Sequence, residues 1–91
     1  MMGELKEYGL MRYSKKTGNV DKMLSGLGCG MIELWALQNT TKTKNSVVFE
    51  LKTGLIRSIY RGDENGFPKI EHAIEDRGLF IDAEALEAFK D

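Results

Sequence analysis

The alternation of apolar and polar positions predicts a β-hairpin near the middle of the chain. Residues 46–61, S-V-V-F-E-L-K-T-G-L-I-R-S-I-Y-R, hold two runs rich in β-branched and aromatic residues around a T-G pair. A two-residue turn at that pair places Val48 opposite Ile59 and Glu50 opposite Arg57. Because apolar residues then face each other and opposite charges meet, the pattern predicts two neighbouring antiparallel strands in this register.

The segment M-I-E-L-W-A-L-Q, residues 31–38, is apolar at almost every position. A short run of this kind fits a buried strand or a buried helix. Its Leu, Glu, Ala and Met residues favour a helix, whereas its place just before the hairpin favours a strand that extends the sheet. We predict a strand here.

Apolar residues at helical spacing predict three helices in the rest of the chain. The first runs from Asn19 to Leu27 with Asn19 as N-cap, the second from Pro68 to Arg77, and the third follows Asp82 as its cap. Residues 8–13 are predicted to form a strand that ends in a turn at 14–18.

Together these elements predict a small α+β fold in the order β-α-β-β-β-α-α. It would have an antiparallel sheet of three to four strands with helices packed on one face. With 91 residues, the chain is expected to form a single domain spanning residues 1–91. A domain of this size buries a thin core, which makes contact with a second molecule valuable.

Cysteine usage and hydropathy suggest a cytoplasmic location. The chain has one cysteine, so it cannot form an internal disulfide, and its N-terminus, M-M-G-E-L-K-E, lacks the apolar core of a secretory signal. Its apolar runs are only a few residues long, far below the roughly 20 residues of a membrane span. No membrane contact is expected.

Charge is unevenly distributed along the chain. Residues 1–61 carry ten basic residues against five acids, and residues 62–91 carry three against nine. The basic side chains sit mainly in predicted turns and on the hairpin, where they would suit the phosphates of a polyanion. These candidate contacts are Lys15, Lys16, Lys42, Lys44, Arg57 and Arg61, with Tyr13, Trp35 and Tyr60 as candidate stacking groups.

The predicted order helix, three strands, helix over residues 19–77 resembles that of double-stranded-RNA-binding domains. That resemblance implies phosphate contacts at the start of the last helix. The corresponding segment here, P-K-I-E-H-A-I-E-D, carries one lysine and three acids. Nucleic-acid binding is therefore the second hypothesis and not the first.

The segment S-G-L-G-C-G, residues 25–30, raises the question of a phosphate-binding loop. Its spacing is G-x-G-x-G, and Met31-Ile32 follows where a P-loop needs Lys and Ser or Thr. With a helix predicted before it and a strand after it, the order is also the reverse of a dinucleotide site. The glycines are expected to turn a corner, and no cofactor or metal site is expected anywhere in the chain.

A further hypothesis is an enzyme that uses Cys29 as nucleophile and His72 as its base, since the chain has one of each. A cysteine that follows a helix C-terminus is poorly placed for a thiolate. The first hypothesis is therefore a non-enzymatic protein that acts through contact with another protein or a second copy of itself. Leu86 and Phe89, on one side of the last helix, are its candidate interface residues.

Overall fold

The computed structural model describes residues 6–72 and 78–89. Five antiparallel strands form one sheet in the order β2-β1-β3-β4-β5. The elements are β1 Glu7–Ser14, β2 Val20–Leu27, α1 Cys29–Asn39, β3 Lys44–Glu50, β4 Ile56–Gly62, β5 Pro68–His72 and α2 Ala83–Ala88. The predicted α+β class is confirmed, whereas the predicted order and the count of three to four strands differ from the structure.

Residues 20–27 form strand β2, so the predicted helix over Asn19 to Leu27 is wrong. The predicted turn at 14–18 closes a hairpin in which β2 pairs with β1 along its whole length, from Leu27 opposite Glu7 to Val20 opposite Tyr13. Gly18, with φ 76°, supplies the left-handed residue that this turn needs. Pairing with a neighbouring strand thus overrides the helical spacing of the apolar residues.

Residues 29–39 form helix α1, so the predicted strand over residues 31–38 is wrong. The helix-favouring composition decides the structure, because the place beside β3 is taken by β1 and not by this segment. Gly28, with φ 78°, separates the end of β2 from the first turn of α1.

Residues 68–72 form strand β5 where a helix was predicted over Pro68 to Arg77. The D-E-N-G-F turn makes a hairpin with β4, because Asp63 Oδ1 accepts the backbone N–H groups of Asn65 and Phe67, each at 2.9 Å. Pro68 is the first residue of an edge strand, where a missing backbone N–H removes no hydrogen bond between strands. Residues 73–77 lie outside the described residues.

The last helix is confirmed as α2. The Asp82 side chain accepts the backbone N–H of Glu84, as its predicted N-cap role requires.

The central hairpin exists, but its predicted register is wrong by one residue. Val47 lies opposite Ile59 and Val48 opposite Ser58. The loop is longer than the predicted two-residue turn, since the Gly54 N–H bonds the Glu50 carbonyl at 2.7 Å. An irregularity beyond Val48 then leaves Arg57 as an extra residue on β4.

Alternate residues of the strands define two faces of the sheet, and α1 and α2 lie on different ones. The helix face, which α1 covers, carries a core formed by Tyr8, Leu10, Val48 and Tyr60 with Ile32 and Ala36 of the helix. The opposite face carries Phe49, whose ring meets the ring of Phe89 edge-on at 5.0 Å between centroids. The prediction that the helices share one face is therefore wrong.

Candidate functional site

The glycine segment connects a strand to a helix, which is the reverse of the predicted order. Gly26 lies in β2 and Gly28 separates the strand from α1, while Gly30 lies in the first turn of the helix. Strand, glycine and helix N-terminus is the order that dinucleotide sites use. The G-x-G-x-G spacing and the following Met31-Ile32 still match neither the P-loop nor the dinucleotide motif. The geometry therefore supports a tight turn between the strand and the helix.

Cys29 and His72 are described only through their backbones. Cys29 is the first residue of α1, so the earlier placement after a helix C-terminus, and the argument built on it, are wrong. His72 lies on β5, opposite Ser58, and not on a helix. Their side chains lie outside the described part of the structure, and an enzyme dependent on Cys29 stays a prediction.

Helix α1 is apolar on its outer side as well as on its buried side. Ile32 and Ala36 face the sheet and are fully buried. Met31, Leu34 and Leu37 face outward and are 53%, 49% and 39% exposed. Gln38 is exposed on the same side, and a helix with this much apolar surface on its outer side is normally covered there. We call Met31, Leu34 and Leu37 the outer stripe of α1.

The single charged residue of α1, Glu33, is directed toward β4 and away from the outer stripe. Its carboxylate accepts the Ser58 hydroxyl at 3.0 Å and lies 3.8 Å from the Arg57 guanidinium. Burial, together with the nearby Glu33 charge, raises the pKa of Tyr60 well above its usual range. Ser58 and Tyr60 are almost completely buried, so this polar group attaches α1 to β4.

Three turns meet at one end of the sheet. They are the β1–β2 turn, the α1–β3 turn and the β4–β5 turn, formed by residues 15–19, 40–43 and 63–67; Lys44, the first residue of β3, lies at the same end. The backbone N–H of Lys15 bonds the Thr43 carbonyl at 3.0 Å, and the Lys15 ammonium donates to the Gly62 carbonyl. A Cβ on Gly66 would lie 3.9 Å from the backbone nitrogen of Lys42. We call this assembly the three-turn end.

The three-turn end brings together four of the six basic residues that the sequence singled out: Lys15, Lys16, Lys42 and Lys44. Arg57 lies at the opposite end of the sheet, where its guanidinium carbon is 5.8 Å from the centre of the Tyr8 ring. Arg61 is paired with Glu71. The six residues therefore do not form one surface.

The aromatic residue exposed at the three-turn end is one that the sequence argument did not select. Tyr60 is buried in the core, and Trp35 and Tyr13 are half-buried. Phe67, in the β4–β5 turn, is 67% exposed. The sequence does indicate this exposure, because Phe67 lies between Gly66 and Pro68 in a polar turn. No strand or helix at that position would cover its ring.

The candidate interface residues of the last helix contact the chain itself. Phe89 meets the Phe49 ring, and the Leu86 side chain lies against Gly54, where an added Cβ would be 3.3 Å away. Both side chains are half-buried by these contacts. Their contact with a partner stays a prediction.

Within residues 6–72 and 78–89, no group of three or more metal-ligating side chains comes together. No helix among the same residues is long and apolar enough to cross a membrane. No protein-family model, curated protein or solved structure matches the chain.

Proposed function

We propose that the protein acts through protein–protein contact at the outer stripe of α1, with a second copy of the chain as the occupant. The observation that carries this proposal is the exposure of Met31, Leu34 and Leu37 on a helix whose single charge is turned away. An uncharged apolar stripe is typical of an interface core, where charged residues are depleted. A cytoplasmic location and a non-enzymatic role are part of the proposal.

The outer stripe is self-complementary. Leu34 is the middle residue of α1, which runs from Cys29 to Asn39. A two-fold axis through this residue pairs two α1 helices antiparallel, with Leu34 on Leu34 and Met31 on Leu37 of the second copy. A two-fold interface requires this kind of reciprocal match, and antiparallel helix dipoles attract each other.

The exposed area indicates a weak, transient dimer. About half of each of the three side chains is exposed, which offers roughly 250 Å² of apolar surface per copy, against roughly 800 Å² in a standard interface. Because association also costs translational and rotational freedom, we expect a dissociation constant on the order of 100 μM. Such a contact depends on local concentration and suits reversible regulation.

Sedimentation velocity from about 10 μM to 1 mM tests the proposal. The wild-type chain is expected to shift from monomer to dimer across this range. Leu34→Glu is expected to weaken association at least ~10-fold, because two like charges would meet on the axis. Met23→Glu is the matched control, since Met23 is 41% exposed but lies on the opposite face.

A cross-linking experiment checks the geometry independently. In a Cys29→Ser background, Leu34→Cys is expected to give a disulfide-linked dimer under mild oxidation, whereas Met23→Cys is not. A wild-type chain that stays monomeric to 1 mM, or two cysteine variants that cross-link equally fast, would contradict the proposal.

A further inference from the structure

The three-turn end has a fixed shape. The β4–β5 turn is held by two backbone N–H groups on Asp63 Oδ1, and these bonds lower the pKa of that carboxyl. Lys15 joins the other two turns through its bond to Thr43. Gly62 lies directly beneath the α1–β3 turn, where an added Cβ would strike the Thr41 carbonyl. The residues at this end are therefore held in place relative to one another.

Lysines at the three-turn end have charges available for an anion. Lys16 and Lys42 are exposed, and neither side chain forms an ion pair with any residue that the structure describes. The Lys15 ammonium donates to a neutral carbonyl but also lies near enough to the Asp63 carboxylate to lower its pKa, so its charge is partly offset. Lys44 is paired with Asp21 at 2.9 Å. Two exposed ammonium groups thus lie on adjacent, joined turns.

Phe67 adds a flat apolar group to the β4–β5 turn of the same end. It follows Gly66, which packs near the Lys42 backbone, and two-thirds of its surface is exposed. Its backbone is fixed by hydrogen bonds to Asp63, so the ring projects from a rigid turn. An exposed aromatic ring in a rigid position can stack on an unpaired base with little loss of conformational freedom.

We propose that the three-turn end binds single-stranded nucleic acid. Phe67 stacks on one unpaired base, and Lys16 and Lys42 contact the phosphates on either side. Stacking needs a base that is free of the duplex, which favours a single strand over double-stranded DNA or RNA. A membrane surface fits less well, because Phe67 is the single large apolar residue of the three turns and an interfacial anchor needs a broad apolar face.

Fluorescence anisotropy tests the proposal with a labelled 12-nucleotide oligo-dT and a matching oligo-rU at about 20 mM salt. The wild-type protein is expected to bind at least one of these, with affinity that falls as salt rises; the two arms identify the preferred sugar. Combined Lys16→Glu and Lys42→Glu is expected to weaken binding at least ~10-fold. It should also reduce the log–log salt slope by about 1.4, since each phosphate contact to a single strand contributes about 0.7.

Phe67→Ala is expected to weaken binding about 5-fold or more while leaving the salt slope unchanged, because stacking releases no counterions. Phe80→Ala is the matched aromatic control, since Phe80 is 58% exposed and pairs with Leu55, away from the three turns. Lys52→Glu is the matched charge control for Lys42→Glu alone, since Lys52 is exposed in the β3–β4 loop at the other end of the sheet. Both controls should bind like the wild-type chain.

Several outcomes would overturn the proposal. They are the absence of binding at 20 mM salt, a duplex competitor as effective as the single strand, and a Phe67→Ala variant that binds normally. Phe67-dependent binding to phosphatidylserine vesicles without binding to either oligonucleotide would identify a membrane site instead. Leu34→Glu should bind the oligonucleotide normally, so failure of the dimer proposal and failure of this one are distinguishable.

Discussion

On the helix face, an eleven-residue helix packs against three strands, whereas on the opposite face the described covering is a six-residue helix without a buried residue. Leu10, Ile32 and Val48 are completely excluded from solvent on the helix face. On the opposite face of β2, Val20, Met23 and Leu27 remain 45%, 41% and 60% exposed. The opposite face is buried at β3, where Val47 and Phe49 are 7% and 0% exposed, so the contrast is with the open surface of β2 and the half-buried side chains of α2.

The residues that differ in burial are expected to contribute differently to the stability of the fold. Hydrophobic stabilisation scales with the apolar area removed from water, so the residues buried under α1 and the buried Phe49 are expected to contribute more than the exposed residues of β2. A chain of this length has a total stability of only about 5–14 kcal/mol. A single cavity at a fully buried site such as Ile32 should therefore cost a large fraction of the whole, whereas the loss of the half-buried Phe89 side chain should be tolerated.

The largest effect is expected when a side chain is removed from each face. Ile32→Ala should lower the free energy of unfolding by about 4 kcal/mol, because it leaves a cavity in a fully buried site. Phe89→Ala should cost about 1–2 kcal/mol, since Phe89 is half-buried and keeps one aromatic contact, to Phe49. Urea denaturation followed by far-UV circular dichroism measures both. Equal losses from the two substitutions would contradict the contrast between the faces.

A smaller effect is expected when a methyl group is added to each face. On the helix face, a Cβ at Gly62 would lie 1.8 Å from the Thr41 carbonyl oxygen, and backbone there cannot move aside easily. On the opposite face, a Cβ at Gly9 would lie 2.5 Å from the end of the Phe49 ring. Gly62→Ala should cost about 3 kcal/mol and Gly9→Ala about 2 kcal/mol, because the buried Phe49 ring must shift as a whole, whereas at Gly62 two backbone segments must separate.

Thermal unfolding of the two alanine variants measures this difference. The wild-type chain and Gly30→Ala serve as references, since a Cβ at Gly30 would meet nothing within 4 Å. A Gly9→Ala variant less stable than Gly62→Ala would show that the opposite face is the more rigidly packed one.

Local sequence signals predicted the parts of the fold that depend on local chemistry. The 14–18 turn needs a left-handed residue and has Gly18, the cap of α2 needs a short acceptor and has Asp82, and the central hairpin has two β-rich runs. The turn and the cap are each determined within about four residues, and the hairpin joins two strands that are neighbours along the chain. Those predictions were confirmed, apart from the register of the hairpin.

The elements that the sequence did not predict depend on distant partners. β2 has apolar residues at helical spacing, yet it is a strand because β1 offers a full-length partner. The segment of α1 is apolar all round, so its periodicity could not distinguish a strand from a helix. The hairpin register depends on the extra residue Arg57 within β4, which no alternation pattern shows.

Some residues of the candidate surfaces could be predicted from the sequence, but their arrangement in space could not. Lysines in turns suggested Lys15, Lys16, Lys42 and Lys44, but the meeting of three turns follows from the strand order. The outer stripe of α1 could not be found, because those residues were assigned to a buried strand. Phe67 was not predicted, because the candidate stacking residues were taken from the predicted strands and not from the turns.

The smallest expected effect compares an ion cluster on the helix face with an ion pair on the opposite face. Asp21 is held by hydrogen bonds from Arg12 and Lys44, which lower the pKa of its carboxyl from 3.8 to about 2. Glu71 pairs with Arg61, and both of these side chains are more than 40% exposed. Asp21→Asn should therefore lower stability at pH 7 more than Glu71→Gln, which should change it little.

The pH dependence of the Asp21 cluster has a definite sign. Because the pKa of the Asp21 carboxyl is lower in the folded chain than in the unfolded chain, its contribution is fully present above about pH 4 and is lost as the pH falls through 2. Urea midpoints measured from pH 6 to pH 2 should therefore fall more steeply in the wild-type chain than in Asp21→Asn. Adding Arg12→Gln to Asp21→Asn should cost less than Arg12→Gln alone, since the two residues share one interaction. Parallel pH profiles for wild type and Asp21→Asn would instead place the acid sensitivity of the fold in carboxyl groups outside this cluster.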